Sequence, residues 1–204
     1  MSDCNCDFQA KNQAQKKVLY WLLIINAVMF VLELGTGWIA ESTALIADSL
    51  DMLADATVYG IGLYAVGKHA DKKLKAAQVS GYFQMLLAFL IFFDILRRTM
   101  LGSEPVSYLM MYMGFVALIA NVFCLLLIYK HKQGDIHMRA SWVFSTNDVI
   151  ANIGVIIGGG LVLLFNSRWP DIVIGSIIVL VILNGAKTIL VDVIKERQKL
   201  NTRI

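Results

Sequence analysis

The chain is poor in charged residues and nearly free of proline. Of its 204 residues, 16% are charged, 58% are hydrophobic and two are proline. Soluble globular domains carry about 25% charged residues, so the composition excludes that class and indicates an integral membrane protein. The three cysteines and three histidines are too scattered to indicate a disulfide framework or a dense metal-binding cluster.

Enzymatic signatures are missing as well. The sequence has no His-Glu-x-x-His motif, no nucleophile elbow and no phosphate-binding glycine loop. Its run of glycines at Gly158-Gly159-Gly160 lies in an apolar segment and indicates close packing or flexibility. We therefore expect no enzyme and no cofactor. The net charge of +3 is explained by basic residues that mark membrane topology, so no nucleic-acid partner is expected.

Six apolar segments are each long enough to cross a lipid bilayer, for which a helix needs about 20 residues. They lie near residues 18–40, 43–66, 79–96, 106–129, 142–165 and 172–191. We predict an all-α integral membrane protein with six transmembrane helices. Its parts are an N-terminal tail (1–17), a transmembrane domain (18–191) and a short C-terminal tail (192–204). No cleavable signal peptide is expected, because the first apolar segment is too long and too aromatic.

Lysine and arginine are distributed unevenly between the predicted loops. Nearly all of them lie in the two tails and in the loops after the second and fourth segments, whereas Arg97, Arg98 and Arg168 lie on the other side. Because positive residues mark the cytoplasmic side, we expect both termini in the cytoplasm and a multi-pass location in the cell membrane, such as the bacterial inner membrane. Cys4 and Cys6 would then stay reduced. They either capture a thiophilic ion or are incidental residues of a disordered tail.

Three aspartates, Asp48, Asp51 and Asp55, interrupt the second apolar segment. One aspartate at the centre of a membrane helix costs about 2.5 to 3.5 kcal/mol, whereas each Leu, Ile, Val or Phe returns about 0.3 to 0.6 kcal/mol. The aliphatic residues of the segment cannot offset three ionised carboxylates. If the helix spans the membrane, these groups must face the interior of a bundle, where protons or a bound cation neutralise them. Asp51 and Asp55 are one turn apart, and Asp48 lies on the same stripe.

The fifth segment is the second polar one. Asp148 and Asn152 are one turn apart and can reach a common ion, and Ser145 extends that face. Asn147 points about 100 degrees away, so its use as a ligand needs a helix rotation, and its alternative is a packing amide. In the first segment, Glu33 is expected to point inward.

Asp51 and Asp55 form a bidentate platform for a divalent cation, and Asp148 and Asn152 brought opposite them would complete four ligands. Three carboxylates on one dication leave a charge near minus one, which a proton on one of them would neutralise. Metal release would then coincide with proton uptake, which is the chemical basis of an antiporter.

Other polar positions have structural interpretations. Asp94 beside Arg97 and Arg98 predicts a charge-paired helix end. Asn121, near the middle of the fourth segment, predicts an interhelical hydrogen bond. Gly154 and the run at 158–160 predict a close helix contact.

Two stretches of the chain resemble the cation diffusion facilitator family, and the similarity covers nearly the whole sequence. The first stretch, 26–55, resembles that family's first two helices, and the second, 138–156, resembles its fifth helix. The residues that carry the similarity are Glu33, Gly37, Ser42, Ala47-Asp48-Ser49, Asp51-Met52-Leu53-Ala54-Asp55, Asp148 and Ile153-Gly154-Val155-Ile156.

The resemblance implies a homodimeric transporter that exports divalent transition metals, usually zinc, in exchange for protons by alternating access. It implies an intramembrane site made of paired [His/Asp]-x-x-x-Asp motifs in helices two and five. Asp51 and Asp55 match the pair of helix two, and Asp148 matches the aspartate of helix five. The resemblance leaves Asp48, Glu33 and Ser145 as supporting or proton-linked groups.

The sequence departs from the family pattern in two places. Phe144 stands where the family has His or Asp, and phenylalanine cannot bind a metal; Asn152, Asn147, Ser145 or a water could replace that ligand. The family also adds a cytoplasmic metal-binding domain after helix six, so we expect a short member without that domain. A dimer would then rest on membrane contacts.

The donor set leaves several ions open. Oxygen ligands favour manganese, iron(II) or magnesium, whereas the Irving-Williams order favours zinc. Zinc is ranked first because of the resemblance, with iron(II), manganese, cadmium and cobalt open. Two other functions are a non-transporting sensor or accessory protein on a degenerate carrier fold, and an organic-cation transporter. For the latter, Tyr59, Trp142 and Phe144 offer too few aromatic rings for a cage.

Overall fold

The computed structural model describes residues 3–65, 70–129 and 136–201, and within them the chain forms six α-helices and no strand. The helices are α1 (Asp3–Ile39), α2 (Thr43–Ala65), α3 (Ala70–Leu101), α4 (Ser107–Ile128), α5 (Ile136–Phe165) and α6 (Trp169–Asn201). The all-helical prediction is confirmed. Each helix contains most of one predicted segment, and α1, α3, α5 and α6 extend beyond it because helix continues into polar sequence.

The long first helix corrects one expectation. Because α1 begins at Asp3, the backbone that carries Cys4 and Cys6 is helical and not disordered. The side chains of these two cysteines lie outside the described part of the chain. So do several basic side chains of the predicted cytoplasmic loops, namely Lys68, Lys72, Lys73, Lys130, Lys132 and Arg139.

Five of the helices are long and apolar enough to cross a membrane. These stretches are Gln13–Ile39, Ala77–Leu101, Ser107–Ile128, Phe144–Phe165 and Trp169–Gln198. The helix α2 differs from them because its 23 residues include three aspartates.

The charged helix α2 lies at the centre of the bundle, where it packs against each of the other five helices. Its three aspartates are buried, with 0% of Asp48, 6% of Asp51 and 1% of Asp55 exposed. This agrees with the expectation that the carboxylates face the bundle interior. The long exposed apolar side chains lie instead on the outer helices, for example Phe93 on α3 and Phe115 on α4.

Three helix connections meet at one end of the bundle. Two hydrogen bonds join the α3–α4 connection to the α1–α2 connection. The Val106 amide donates to the Ala40 carbonyl at 2.9 Å, and the Glu104 amide donates to Glu41 Oε2 at 3.1 Å. The connection between α5 and α6 lies beside them. A Cβ atom added at Gly102, in the α3–α4 connection, would lie 2.8 Å from a guanidinium nitrogen of Arg168, in the α5–α6 connection. The ends of α1, α3 and α5 are therefore close together.

Asp171, in the first turn of α6, holds the start of α2 at this same end. Its carboxylate accepts hydrogen bonds from Ser42 Oγ at 2.6 Å, from the Thr43 amide at 2.6 Å and from the Ala44 amide at 3.0 Å. The first amides of a helix have no partner within it, so an aspartate from another helix caps α2. Sequence reasoning did not find this contact.

The structural interpretations of the other polar positions are confirmed. Asp94 pairs with Arg97 and Arg98, each at 2.6 Å. Asn121 Nδ2 donates from α4 to the sulfur of Met52 on α2 at 3.9 Å.

Close contact is confirmed at two of the glycines of α5, whereas a Cβ atom added at Gly154 would make an ordinary contact with Ile174 at 3.6 Å and Gly160 has open space beside it. A side chain added at Gly158 would lie 3.1 Å from Ile174 of α6, and one at Gly159 would lie 3.0 Å from the Ser107 carbonyl of α4. Both glycines therefore allow neighbouring helices to approach α5.

Candidate metal site

A small cavity lies between α2, α3, α5 and α6, with free space of about 10 Å³. This is close to the space that one buried water needs. Its polar lining comes from three helices, and α6 and one aromatic ring of α5 supply the apolar part. The lining residues are Asp51, Asp55, Gln84, Phe144, Asn147, Asp148, Val181, Ile182 and Gly185.

The cavity brings together the three aspartates that the sequence singles out on two helices. Asp51 and Asp55 reach it from α2, and Asp148 reaches it from α5. The carboxyl groups of Asp55 and Asp148 lie within hydrogen-bonding reach of each other. Both are 1% exposed, so bulk water does not separate them. Two acidic groups in such contact need a proton or a cation between them.

The three carboxylates line the cavity without closing on a single point. Within the described residues, no three Asp, Glu, His or Cys side chains converge closely enough to hold a metal ion. A dication would therefore need a small movement of Asp51, an amide oxygen or a water to complete its coordination. One oxygen of Asp148, Oδ2, is buried without a hydrogen-bond partner and is available for such a bond.

Tyr59 fixes one side of the site. Its hydroxyl donates to Asp55 Oδ2 at 2.8 Å and lies 3.3 Å from the hydroxyl oxygen of Ser145. Tyr59 is 0% exposed, so this bridge from α2 to α5 is shielded from solvent. Ser145 is therefore placed behind Asp55, with Tyr59 between them.

The two candidate amides of α5 are placed differently from expectation. Asn147 lines the cavity without any rotation of α5, because the cavity is bordered by two adjacent positions of the helix, Asn147 and Asp148. Asn152 is buried but is not part of the lining. Its Nδ2 donates to the Asp148 carbonyl at 2.8 Å, which holds the side chain along its own helix. Phe144 lines the cavity one turn before Asp148, where a ligand would stand in the family pattern.

A second acidic pair lies between α1 and α2. The carboxyl groups of Glu33 and Asp48 are within hydrogen-bonding reach of each other, and both residues are 0% exposed. No N–H or O–H donor in the described residues reaches any of their four oxygens. The charged neighbours are also acidic, Asp51 on α2 and Asp148 on α5. The pair therefore has no positive partner among the described residues.

Gln84 of α3 is the lining residue that sequence reasoning missed. It is 2% exposed, and its Oε1 has no hydrogen-bond partner. The available signal was weak: Ser80, one turn earlier, is also buried, so the two form a short polar stripe on an apolar helix.

The chain is similar to several known proteins. The model of the cation efflux transmembrane domain matches residues 19–196. The zinc transporter ZitB of Yersinia pseudotuberculosis is 25% identical over 186 residues, which cover 85% of this chain and 60% of that protein. A cadmium, cobalt and zinc/H(+)-K(+) antiporter of Bacillus velezensis is 22% identical over 187 residues, covering 84% of this chain and 59% of the antiporter.

A eukaryotic protein is similar over a shorter stretch. The vacuolar zinc transporter ZRC1 of Saccharomyces cerevisiae is 32% identical over 133 residues, which cover 58% of this chain and 30% of that protein. The chain thus spans about 60% of the length of the first bacterial relatives that it matches.

Proposed function

The chain belongs to the cation efflux family, and from this membership and the buried aspartates we propose that it is a multi-pass membrane transporter that exports a divalent metal cation. The names of its relatives, which include zinc transporters and a cadmium, cobalt and zinc antiporter, support this class of substrate. They are transporters by name, which agrees with the expectation that the chain is not an enzyme.

We include α2 as a sixth membrane crossing. Its 23 residues extend over about 35 Å as a helix, which exceeds the hydrocarbon thickness of about 30 Å. The α1–α2 and α3–α4 connections lie at the same end of the bundle, which gives independent support for a crossing by α2. If α3 crosses the membrane to reach that end, α2 must first return the chain to the opposite side.

The observation that carries the proposal is the meeting of Asp51, Asp55 and Asp148 at one buried cavity. A single-pass anchor or a packing contact would give no reason for three carboxylates from two helices to border the same space. A divalent cation offsets most of their charge, and carboxylates are ligands for such ions. Asp48, Glu33, Ser145 and Asn152 support this site from outside the cavity, and Asn147 borders it.

We propose zinc as the first substrate because the three relatives named above all carry zinc in their names. The donors that line the cavity are oxygens, which also suit manganese and iron(II). Competition among zinc, iron(II), manganese, cadmium and cobalt in one assay would rank them.

The contact between Asp55 and Asp148 also supports an exchange of metal for protons. Without a metal, the adjacent carboxyl groups of Asp55 and Asp148 share a proton, and a dication displaces it because ligands must be deprotonated. In alternating access, the site would bind metal from the cytoplasm and take up protons from the other side. The homodimer and the cytoplasmic position of both termini stay predictions.

Metal flux into proteoliposomes with an imposed pH gradient tests the proposal. The parent should transport zinc, and Asp51→Ala and Asp148→Ala should each lower the initial rate at least about tenfold, because each removes a charged ligand. Asp192→Ala, which removes an exposed carboxylate of α6, is the matched control and should transport like the parent.

The result also separates the alternatives. If both site variants transport like the parent, the site assignment is wrong. If the folded parent shows no flux but binds metal, the sensor or accessory function is favoured. An organic cation is disfavoured because the free space of about 10 Å³ is too small for one.

A further inference from the structure

Gln84 has the features of an unassigned metal ligand. It belongs to α3, a helix from which neither the sequence pattern nor the family resemblance predicts a donor. Its side chain lines the cavity of the three aspartates, and it is 2% exposed. Its amide oxygen Oε1 is buried and accepts no hydrogen bond within the described residues.

The surroundings of this oxygen limit what can satisfy it. Ionised carboxylates are acceptors and cannot donate to an amide oxygen. Asn147 is the other amide of the lining, but it makes no hydrogen bond to this oxygen. The remaining lining is apolar, with Phe144 from α5 and Val181 and Ile182 from α6. A buried amide oxygen that lacks a partner is unfavourable, so its position in the cavity favours an occupant that is either a cation or a water.

We infer that Gln84 supplies an oxygen ligand to the transported cation, in place of the donor that Phe144 cannot provide. The inference rests on the proposed function and deepens it, because it completes the set of Asp51, Asp55 and Asp148 with a neutral group. A neutral ligand adds a bond without adding a fourth negative charge. The site then draws on three helices, α2, α3 and α5.

The choice of ligand affects which metal the site prefers. Manganese takes a larger set of oxygen ligands, whereas zinc is satisfied by four ligands and favours nitrogen or sulfur. Loss of one amide oxygen should therefore weaken manganese binding more than zinc binding. A residue that only packs against the site would alter both affinities alike.

The test measures Mn²⁺ and Zn²⁺ binding to the full-length protein in detergent by isothermal titration calorimetry. Gln84→Leu removes the amide, and we expect its Mn²⁺ affinity to fall on the order of tenfold to a hundredfold, with a smaller loss for Zn²⁺. Gln84→Glu keeps an oxygen at the same position, and its Mn²⁺ affinity should equal or exceed that of the parent. Gln84→Met, which is closer in volume, replaces the leucine variant if that variant does not fold.

Asn121→Leu is the control, because Asn121 is a buried amide of α4 with an unpartnered oxygen that does not line the cavity. An equal loss of Mn²⁺ affinity in Gln84→Leu and Asn121→Leu would overturn the inference, as would parent-like binding in Gln84→Leu. The latter result would mean that a water occupies the space beside Oε1. If the parent binds neither metal, the proposed function itself fails, which is a separate outcome.

Discussion

Glu33 and Asp48 face each other across α1 and α2 without any donor from the described chain. A hydrogen bond between two carboxyl groups requires a proton on one of them, so the pair holds a proton wherever its members touch. The surrounding charged groups, Asp51 and Asp148, are acidic and belong to the candidate metal site. A dication arriving at those aspartates would repel the proton of the neighbouring pair. The pair is therefore suited to proton-coupled metal exchange.

Substitution at this pair should change proton release more than metal binding. In Glu33→Gln the amide donates permanently to Asp48, so no exchangeable proton is needed there. Zinc binding should then release on the order of one proton fewer per metal ion than in the parent, while zinc affinity changes less than about tenfold. Calorimetry in buffers of different ionisation enthalpy measures the proton count.

Asp48→Asn should give the same reduction, because it neutralises the other member of the pair. Asp192→Asn, at an exposed position of α6, should release as many protons as the parent. An unchanged proton count in both pair variants would show that the Glu33–Asp48 pair takes no part in the exchange.

The sequence singled out the three carboxylates that line the cavity because their signal is local. Asp51 and Asp55 are costly charges at helical spacing in an apolar segment, and Asp148 stands out for the same reason. Gln84 is uncharged and costs less to bury, so one glutamine on an apolar helix gives little signal. Asn147 was expected to need a rotation of the helix because helical geometry gives only the angle between neighbouring residues. The position and width of a cavity among four helices cannot be read from that angle.

At the scale of elements, the start of α2 is defined by a residue of α6. The sequence predicted Thr43 as the first residue of α2, because the second apolar segment begins there. It could not predict the cap, since Ser42 and Asp171 are 129 positions apart and acidic residues in the first turn of a helix are common for local reasons. The cap ties the site helix α2 to the beginning of α6.

Removal of this cap should destabilise the bundle. In Asp171→Ala, the Ser42 hydroxyl and two amides of α2 lose their acceptor, and we expect a loss of about 1 to 3 kcal/mol of unfolding free energy. Thermal unfolding in detergent, followed by circular dichroism, should show a melting temperature several degrees lower. Asp171→Asn keeps one acceptor oxygen and should lie in between. Melting of Asp171→Ala at the temperature of the parent would mean that the cap contributes nothing to stability.

The whole molecule is arranged around the helix that carries three buried aspartates. Within the described residues, α2 is not among the five helices that are apolar enough to cross a membrane, yet it is the helix that contacts all five others. Outer helices present apolar side chains to the surroundings, and their inward faces shield the carboxylates of α2. Such an arrangement is what the high cost of charge in a bilayer requires.

The topology makes a prediction that can be checked without transport. If α2 crosses the membrane, Glu104 between α3 and α4 and Ser167 between α5 and α6 lie on the outer side, and Gln198 near the end of α6 lies in the cytoplasm. Single cysteines at these positions, in a background with the native cysteines replaced by serine, should differ in their reaction with a membrane-impermeant maleimide. Glu104→Cys and Ser167→Cys should be labelled in intact cells, and Gln198→Cys only after permeabilisation.

Labelling at Glu41 then decides the role of α2. Glu41→Cys, at the start of α2, should be labelled from the outside like Glu104→Cys, because the backbone amide of residue 104 lies beside the Glu41 side chain at the same end of the bundle. A control cysteine at Tyr64, an exposed position near the other end of α2, should be protected in intact cells. Equal labelling of Glu41→Cys and Tyr64→Cys from outside would contradict a crossing by α2 and, with it, an intramembrane position for Asp51 and Asp55.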